Sequence, residues 1–108
     1  MSGVILEEIK NQLGLEPEET NFDTEIMIHI NSVLMVLNQL GFPAFFATKE
    51  TMWDEYLDYS RDTQAIKSYM FLKVKLIFDP PTGSVLSAYQ DQISEFEWRL
   101  NIQVEGSD

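Results

Sequence analysis

Between Thr24 and Leu40 the chain places apolar side chains around most of a helix's circumference, and this segment constrains everything else. Ile26, Ile30, Val33, Leu37 and Leu40 make one stripe, which Met27, Ile28, Leu34 and Met35 widen. Only a narrow polar line remains, running through Glu25, His29, Ser32 and Gln39. A helix so patterned must be covered by other elements on most of its sides. Asp23 is placed to cap its first turn, and Gly41 stands where a left-handed residue closes a helix. Pro43, just beyond, prevents simple continuation.

The cover has to come from further helices. Ile5, Ile9 and Leu13 recur at helical spacing from Val4 to Leu13, with Gly14 as a stop and the polar stretch Glu16-Pro17-Glu18-Glu19-Thr20-Asn21 as a loop. Thr48 or Thr51 can cap a short helix through Leu57, with Met52, Trp53, Tyr56 and Leu57 on one side. Asp62 can cap a helix from Thr63 to Phe78 whose stripe is Ile66, Tyr69, Met70, Val74 and Ile77. Phe71, Leu72, Leu76 and Phe78 make that helix apolar nearly all round, while Lys67, Lys73 and Lys75 reach water past it. Asp79-Pro80-Pro81-Thr82-Gly83 ends it, because proline has no N–H and disfavours helical geometry before it.

The last helix runs from Ser84 to Leu100 or a little beyond, with Leu86, Tyr89, Ile93, Phe96 and Leu100 as a packing seam. Ile102-Gln103-Val104-Glu105 alternates apolar and polar, a strand-like pattern. The expected fold is therefore all-α, a small bundle of four to five helices with a short extended C-terminal tail. Residues 1–108 are read as one domain, with 1–3 and 106–108 disordered, since no repeat or linker divides the chain.

Composition excludes several function classes. The absence of cysteine removes disulfides, thiolate nucleophiles and the usual structural zinc sites, and fits a reducing cytoplasm. No apolar run reaches the ~20 residues that cross a bilayer, and Met1-Ser2-Gly3 lacks the basic start of a signal peptide. Eighteen acidic against seven basic residues leave a net charge of −11, which opposes binding to phosphate backbones. The same charge suits simple solubility, a surface past which DNA must slide, or a decoy that imitates DNA.

Catalytic patterns are missing. His29 is the one histidine, and nothing marks a nucleophile beside it. The acidic groups Glu16, Glu18, Glu19 and Asp54, Glu55, Asp58 lack the alternating form of a calcium loop and read as solvated faces. Glu95 and Glu97, two apart, point to different sides of a helix. The glycines at 3, 14, 41, 83 and 106 form no phosphate-cradling motif. No cofactor, no metal and no enzyme activity are expected.

What is left is adhesive surface. Phe42-Pro43-Ala44-Phe45-Phe46-Ala47 is apolar without a clean period and reads as a loop whose rings tuck against the domain or a neighbour. Phe45, Phe46, Trp53, Tyr56 and Trp98 are of the type enriched at interface hot spots, although each alone is equally suited to capping its own small core. Trp98 differs, because it lies roughly 160° around the helix from Leu100 and cannot share the packing seam.

The order of segments also resembles a known family. The short helix Ile5-Leu6-Glu7-Glu8-Ile9-Lys10-Asn11-Gln12-Leu13-Gly14-Leu15, an acidic loop, Phe22-Asp23-Thr24-Glu25-Ile26 opening a long helix and a Tyr/Leu/Lys-rich helix are similar to the head-to-tail connector, or adaptor, proteins of long-tailed phages. Lys73-Val74-Lys75-Leu76-Ile77-Phe78-Asp79-Pro80-Pro81 and Ile93-Ser94-Glu95-Phe96-Glu97-Trp98-Arg99-Leu100-Asn101 look like the C-terminal half of a branch from phages and prophages of Gram-positive bacteria. The region Phe42 to Tyr59 departs from the shorter connectors.

This resemblance implies a non-enzymatic virion subunit at the head–tail junction, assembled in the host cytoplasm. It implies a ring of identical copies that docks on the portal, meets a stopper or tail-completion protein and lets DNA pass without specific binding. Trp98, Arg99, Ile102 and Val104 are then the residues expected to meet the portal or a neighbouring subunit, with Phe45, Phe46 and Trp53 as further interface candidates. A rival reading is an acidic DNA mimic or inhibitor that occupies a host DNA-processing enzyme; a magnesium-dependent hydrolase has only its carboxylates in support.

Overall fold

A computed structural model describes residues 3–56 and 63–105, the last three of these by backbone alone. Five helices follow one another: α1 (Ile5–Gln12), α2 (Asp23–Gln39), α3 (Trp53–Tyr56), α4 (Thr63–Phe78) and α5 (Gly83–Glu105). The all-α bundle expected from periodicity is what the chain forms. The expected caps and stops at Asp62, Leu57 and 106–108 lie outside the described residues.

Both glycine stops close their helices in the same way. At the end of α1 Leu15 N–H donates to Lys10 O at 2.9 Å and Gly14 N–H to Asn11 O at 3.1 Å, with Gly14 at φ +84°. At the end of α2 Phe42 N–H donates to Leu37 O at 3.0 Å and Gly41 N–H to Asn38 O at 3.1 Å, with Gly41 at φ +113°. This paired arrangement satisfies carbonyls that a helix end otherwise leaves bare, and it needs a left-handed residue at its pivot. Phe42, buried, supplies the apolar contact that goes with it.

The core is built on α2. Ile26, Ile30, Val33, Leu34 and Leu37 are all at most 1 % exposed. Helix α4 lies between α2 and α5, and α1 rests on α2. From α4 come Ile66, Tyr69, Met70 and Val74, and from α5 Ile93 and Leu100, with Leu86, Tyr89 and Phe96 partly buried along the same seam. Ile77, read as part of the α4 stripe, is instead half exposed. Phe22 and Phe78 meet edge to face at 5.3 Å where α2 begins and α4 ends.

Three polar devices lock the helices together. Lys10, though charged, is buried: its ammonium donates to Glu19 O at 2.6 Å and Pro17 O at 3.3 Å, and lies 2.9 Å from Asp23 Oδ1 in an ionic contact without hydrogen-bond alignment. Asp23 thus occupies the first turn of α2 without capping it, since the N-cap is Phe22 and no side chain caps the turn. The ammonium nearby, not the helix N–H groups, is what this carboxylate serves.

On the other side Tyr69 Oη donates to Glu97 Oε2 at 2.8 Å, and Lys73 Nζ stands 3.8 Å from the same oxygen. This ties α4 to α5. Burial, the hydrogen bond to Glu97 and its negative charge together push the Tyr69 phenol far above its ordinary range. Third, the segment before α3 is bonded to the start of α1: Ile5 N–H donates to Thr51 O at 3.0 Å and Trp53 N–H to Gly3 O at 2.9 Å. Thr48 and Thr51 brace that segment with a hydroxyl contact of 3.0 Å, and Glu55 Oε2 accepts from Met52 N–H at 2.9 Å.

One expectation needs correction. The alternating pattern of 102–105 predicts an extended tail, but these residues continue α5 to Glu105. The alternation of Ile102 and Val104 is too short to oppose a helix already nucleated over several turns, where each added residue contributes a hydrogen bond at little entropic cost. Asn101 Nδ2, donating to Leu40 O at 3.4 Å, fastens this last part of α5 to the end of α2.

Replacing Lys10 with Ala is expected to destabilise the fold by about 3 kcal/mol, because it leaves Asp23 charged and mostly buried without a partner. Urea unfolding at unchanged slope measures this, and a second change, Asp23→Asn, should recover part of the loss. Burial also pushes the Tyr56 phenol up to about 12. The unfolded chain releases that proton near the ordinary tyrosine value of 10.0, so stability is undiminished below that pH and falls as pH rises through about 12. The alkaline slope should be shallower in Tyr56→Phe.

Candidate protein-interaction site

The bundle leaves two apolar areas uncovered. The first follows from two asparagines on α2. Asn31 Oδ1 accepts from Ala47 N–H at 2.8 Å while its Nδ2 donates to Ala47 O at 3.1 Å, so one amide satisfies both backbone groups of the loop residue. Asn38 Nδ2 donates to Phe42 O at 2.9 Å. Seven residues apart, these side chains share a face and are about 10.5 Å apart along the axis. They pin the loop 42–47 so that it runs back along α2.

Ala47 is buried and Phe45 partly so, the latter 5.1 Å from the Tyr56 ring. Phe46, between them, is 74 % exposed. On the helix beside it Ile28 is 60 % and Met35 66 % exposed. Together with Met27, Phe45 and the loop these residues line an open, mainly apolar groove of about 580 Å³, edged by Thr24, Ser32, Thr48 and Lys49.

The second area is on α5. Trp98 is 65 % exposed and Ile102, one turn on, 46 %. Arg99 does not project freely: its guanidinium donates to Glu95 Oε1 at 3.0 Å. About 100° around the helix Glu97 holds Tyr69, and roughly 160° around it Leu100 is buried, so one side of α5 is committed to the core and the other carries the indole.

The residues singled out from sequence are therefore divided. Trp98, Ile102 and Phe46 are on the surface, and Phe45 lines the groove. Trp53 is 2 % exposed, beneath the Lys67 ammonium 5.3 Å from its ring, and is a core residue within this chain. Its α3 neighbours and the bonding of 51–53 to 3–5 turn it inward. Val104 is on α5, with its side chain outside the description.

The apolar spacing of α2 places Ile28 and Met35 beside the buried stripe, yet both side chains are exposed. The available signal was Asn31 and Ser32 between them, two polar residues interrupting an apolar face. Among the described residues no group of three or more His, Cys, Asp or Glu side chains could hold a metal ion, and no helix is long and apolar enough to cross a membrane.

A surface of sticky patches on a small helical scaffold fits an assembly subunit, and comparison with known families agrees. A family model described as phage connector protein matches residues 5–107. The chain belongs to the phage connector family. Comparisons with curated proteins and with solved structures find no match. Membership makes this connector a structural virion component with a role in head–tail assembly, of a family that is not enzymatic.

In this connector Asn31 is what presents the groove. Asn31→Ala removes both bonds to Ala47 and leaves a buried N–H and C=O unpaired, which should cost about 2 kcal/mol. Hydrogen exchange at the Ala47 amide should accelerate well beyond that at amides in the middle of α4, and equal acceleration throughout would show a global effect instead.

Proposed function

We propose that this connector assembles as a ring of identical copies on the portal, extends the DNA channel toward the tail and offers the far side of the ring to a stopper or tail-completion protein. The observation that carries this reading is the exposure of Trp98 in a chain of the connector family: an indole 65 % open to water, on the side of α5 that the core does not use. Large aromatic residues left outside a small domain are the usual anchors of protein contacts.

Two further features support it. A subunit of a closed ring needs two unlike adhesive surfaces, since a head-to-tail contact closes when the rotation per copy permits. The α2 groove and the Trp98 side of α5 are such a pair. The net charge of −11 also suits a channel wall, because like charge keeps passing phosphates from binding, over a range set by the screening length of about 8 Å at physiological salt.

The test is to mix the purified chain with its portal and weigh the complex. The reading expects a discrete species heavier than the portal by a whole number of chains. A Trp98→Asp variant should keep its unfolding free energy within about 0.5 kcal/mol, since the residue is exposed, yet fail to join the complex. A portal mass unchanged by excess wild-type chain would refute the docking.

A further inference from the structure

The bundle's positive charges, unlike its many acids, are almost all paired within it. Among the described lysines and arginines, Lys10, Lys67, Lys73, Lys75 and Arg99 each have a carboxylate oxygen within 3.8 Å. Lys49 is the exception among the described residues, exposed on the edge of the α2 groove. In a chain of net charge −11 this cation is therefore free to take a carboxylate from outside. An occupant of the groove should be apolar at its centre and acidic at its flank.

The chain itself carries a surface of that description. Around α5 each residue advances about 100°, so Asp91 falls about 20°, Ser94 and Ile102 about 40° and Glu95 about 60° from Trp98. Trp98 and Ile102 form an apolar ridge one turn long. Glu95 is already paired with Arg99, whereas Asp91 has no cation beside it among the described residues. One surface thus offers an apolar ridge with an unpaired anion, and the other an apolar groove with an unpaired cation.

We propose that the groove formed by α2 and the 42–49 loop receives the Trp98–Ile102 ridge of α5 from a second copy of this chain, with Lys49 facing the acidic flank of that helix. The setting rests on the ring reading above, but the pairing of these two surfaces is drawn from their shape and charge. The ridge enters between Ile28 and Met35 on one side and Phe45 and Phe46 on the other, as one helix's ridge seats in a neighbour's groove. Because groove and ridge are different surfaces, each copy gives one and receives one. The contact propagates from copy to copy and stops only when a ring closes.

The absence of cysteine makes a clean test available. Ser32 lies in the groove lining and Ser94 beside Trp98; both are exposed, so S32C and S94C should leave the fold intact. Under mild oxidation, alone and on the portal, an equimolar mixture should give S32C–S94C dimers while neither variant alone does, and the double variant should give a ladder of multimers. Adding Met35→Asp to the S32C chain, or Trp98→Ala to the S94C chain, should reduce the cross-linked fraction about tenfold.

Dimers of equal yield from either single variant would overturn the proposal, because they require a surface meeting its own copy. So would no cross-linking in both settings. If portal binding persists without the cross-link, this pairing fails and the connector reading stands; if the cross-link forms but the portal is not bound, the pairing stands and the docking fails.

Discussion

The structure depends on α2 having more apolar surface than the other helices cover. Helices α1 and α4 enclose the side that carries Ile26, Ile30, Val33, Leu34 and Leu37, and burial there supplies the main driving force for folding. The loop 42–47 could have roofed the opposite side. Asn31 and Asn38 instead hold it at the edge by its backbone, so that Ile28 and Met35 stay open and Phe46 joins them. The groove is thus a consequence of where two amides bond, not of a gap in packing.

The rest of the bundle makes that arrangement rigid. Lys10 gathers the 14–22 loop and the first turn of α2 around one ammonium, at the cost of desolvating it, which its carbonyl and carboxylate partners offset. Tyr69 and Glu97 fix the rotation of α5 about its axis. With that rotation set and Ile93 and Leu100 turned into the core, Trp98 faces outward. A surface held this firmly pays little ordering entropy on binding, which favours a small subunit that has to associate through modest contacts.

Much of this was legible in the order of residues. Helix identity followed from apolar spacing, and Gly14 and Gly41 ended α1 and α2 as their position implied. The seam Leu86–Tyr89–Ile93–Phe96–Leu100 placed Trp98 off the core by angle alone. Three things were not legible, each because tertiary contact overrides local pattern. Ile28 and Met35 look like core until the partners of Asn31 are known. Trp53 looks like surface until residues 51–53 are bonded back to the chain start. Ile102 and Val104 look like a strand until α5, already formed, carries them along. Family membership, in turn, was legible through the arrangement of segments, because the match covers 5–107 and not a short motif.

The central claim is that the apolar area this fold leaves open is covered by other copies or partners in the virion. Hydroxyl-radical labelling of the free chain and of the assembled head–tail junction measures this directly, residue by residue. The account predicts that Met35, Phe46 and Trp98 are readily oxidised in the free chain and become strongly protected on assembly, while Met70, fully buried, is inert in both. Equal labelling of Met35 and Trp98 before and after assembly would contradict it.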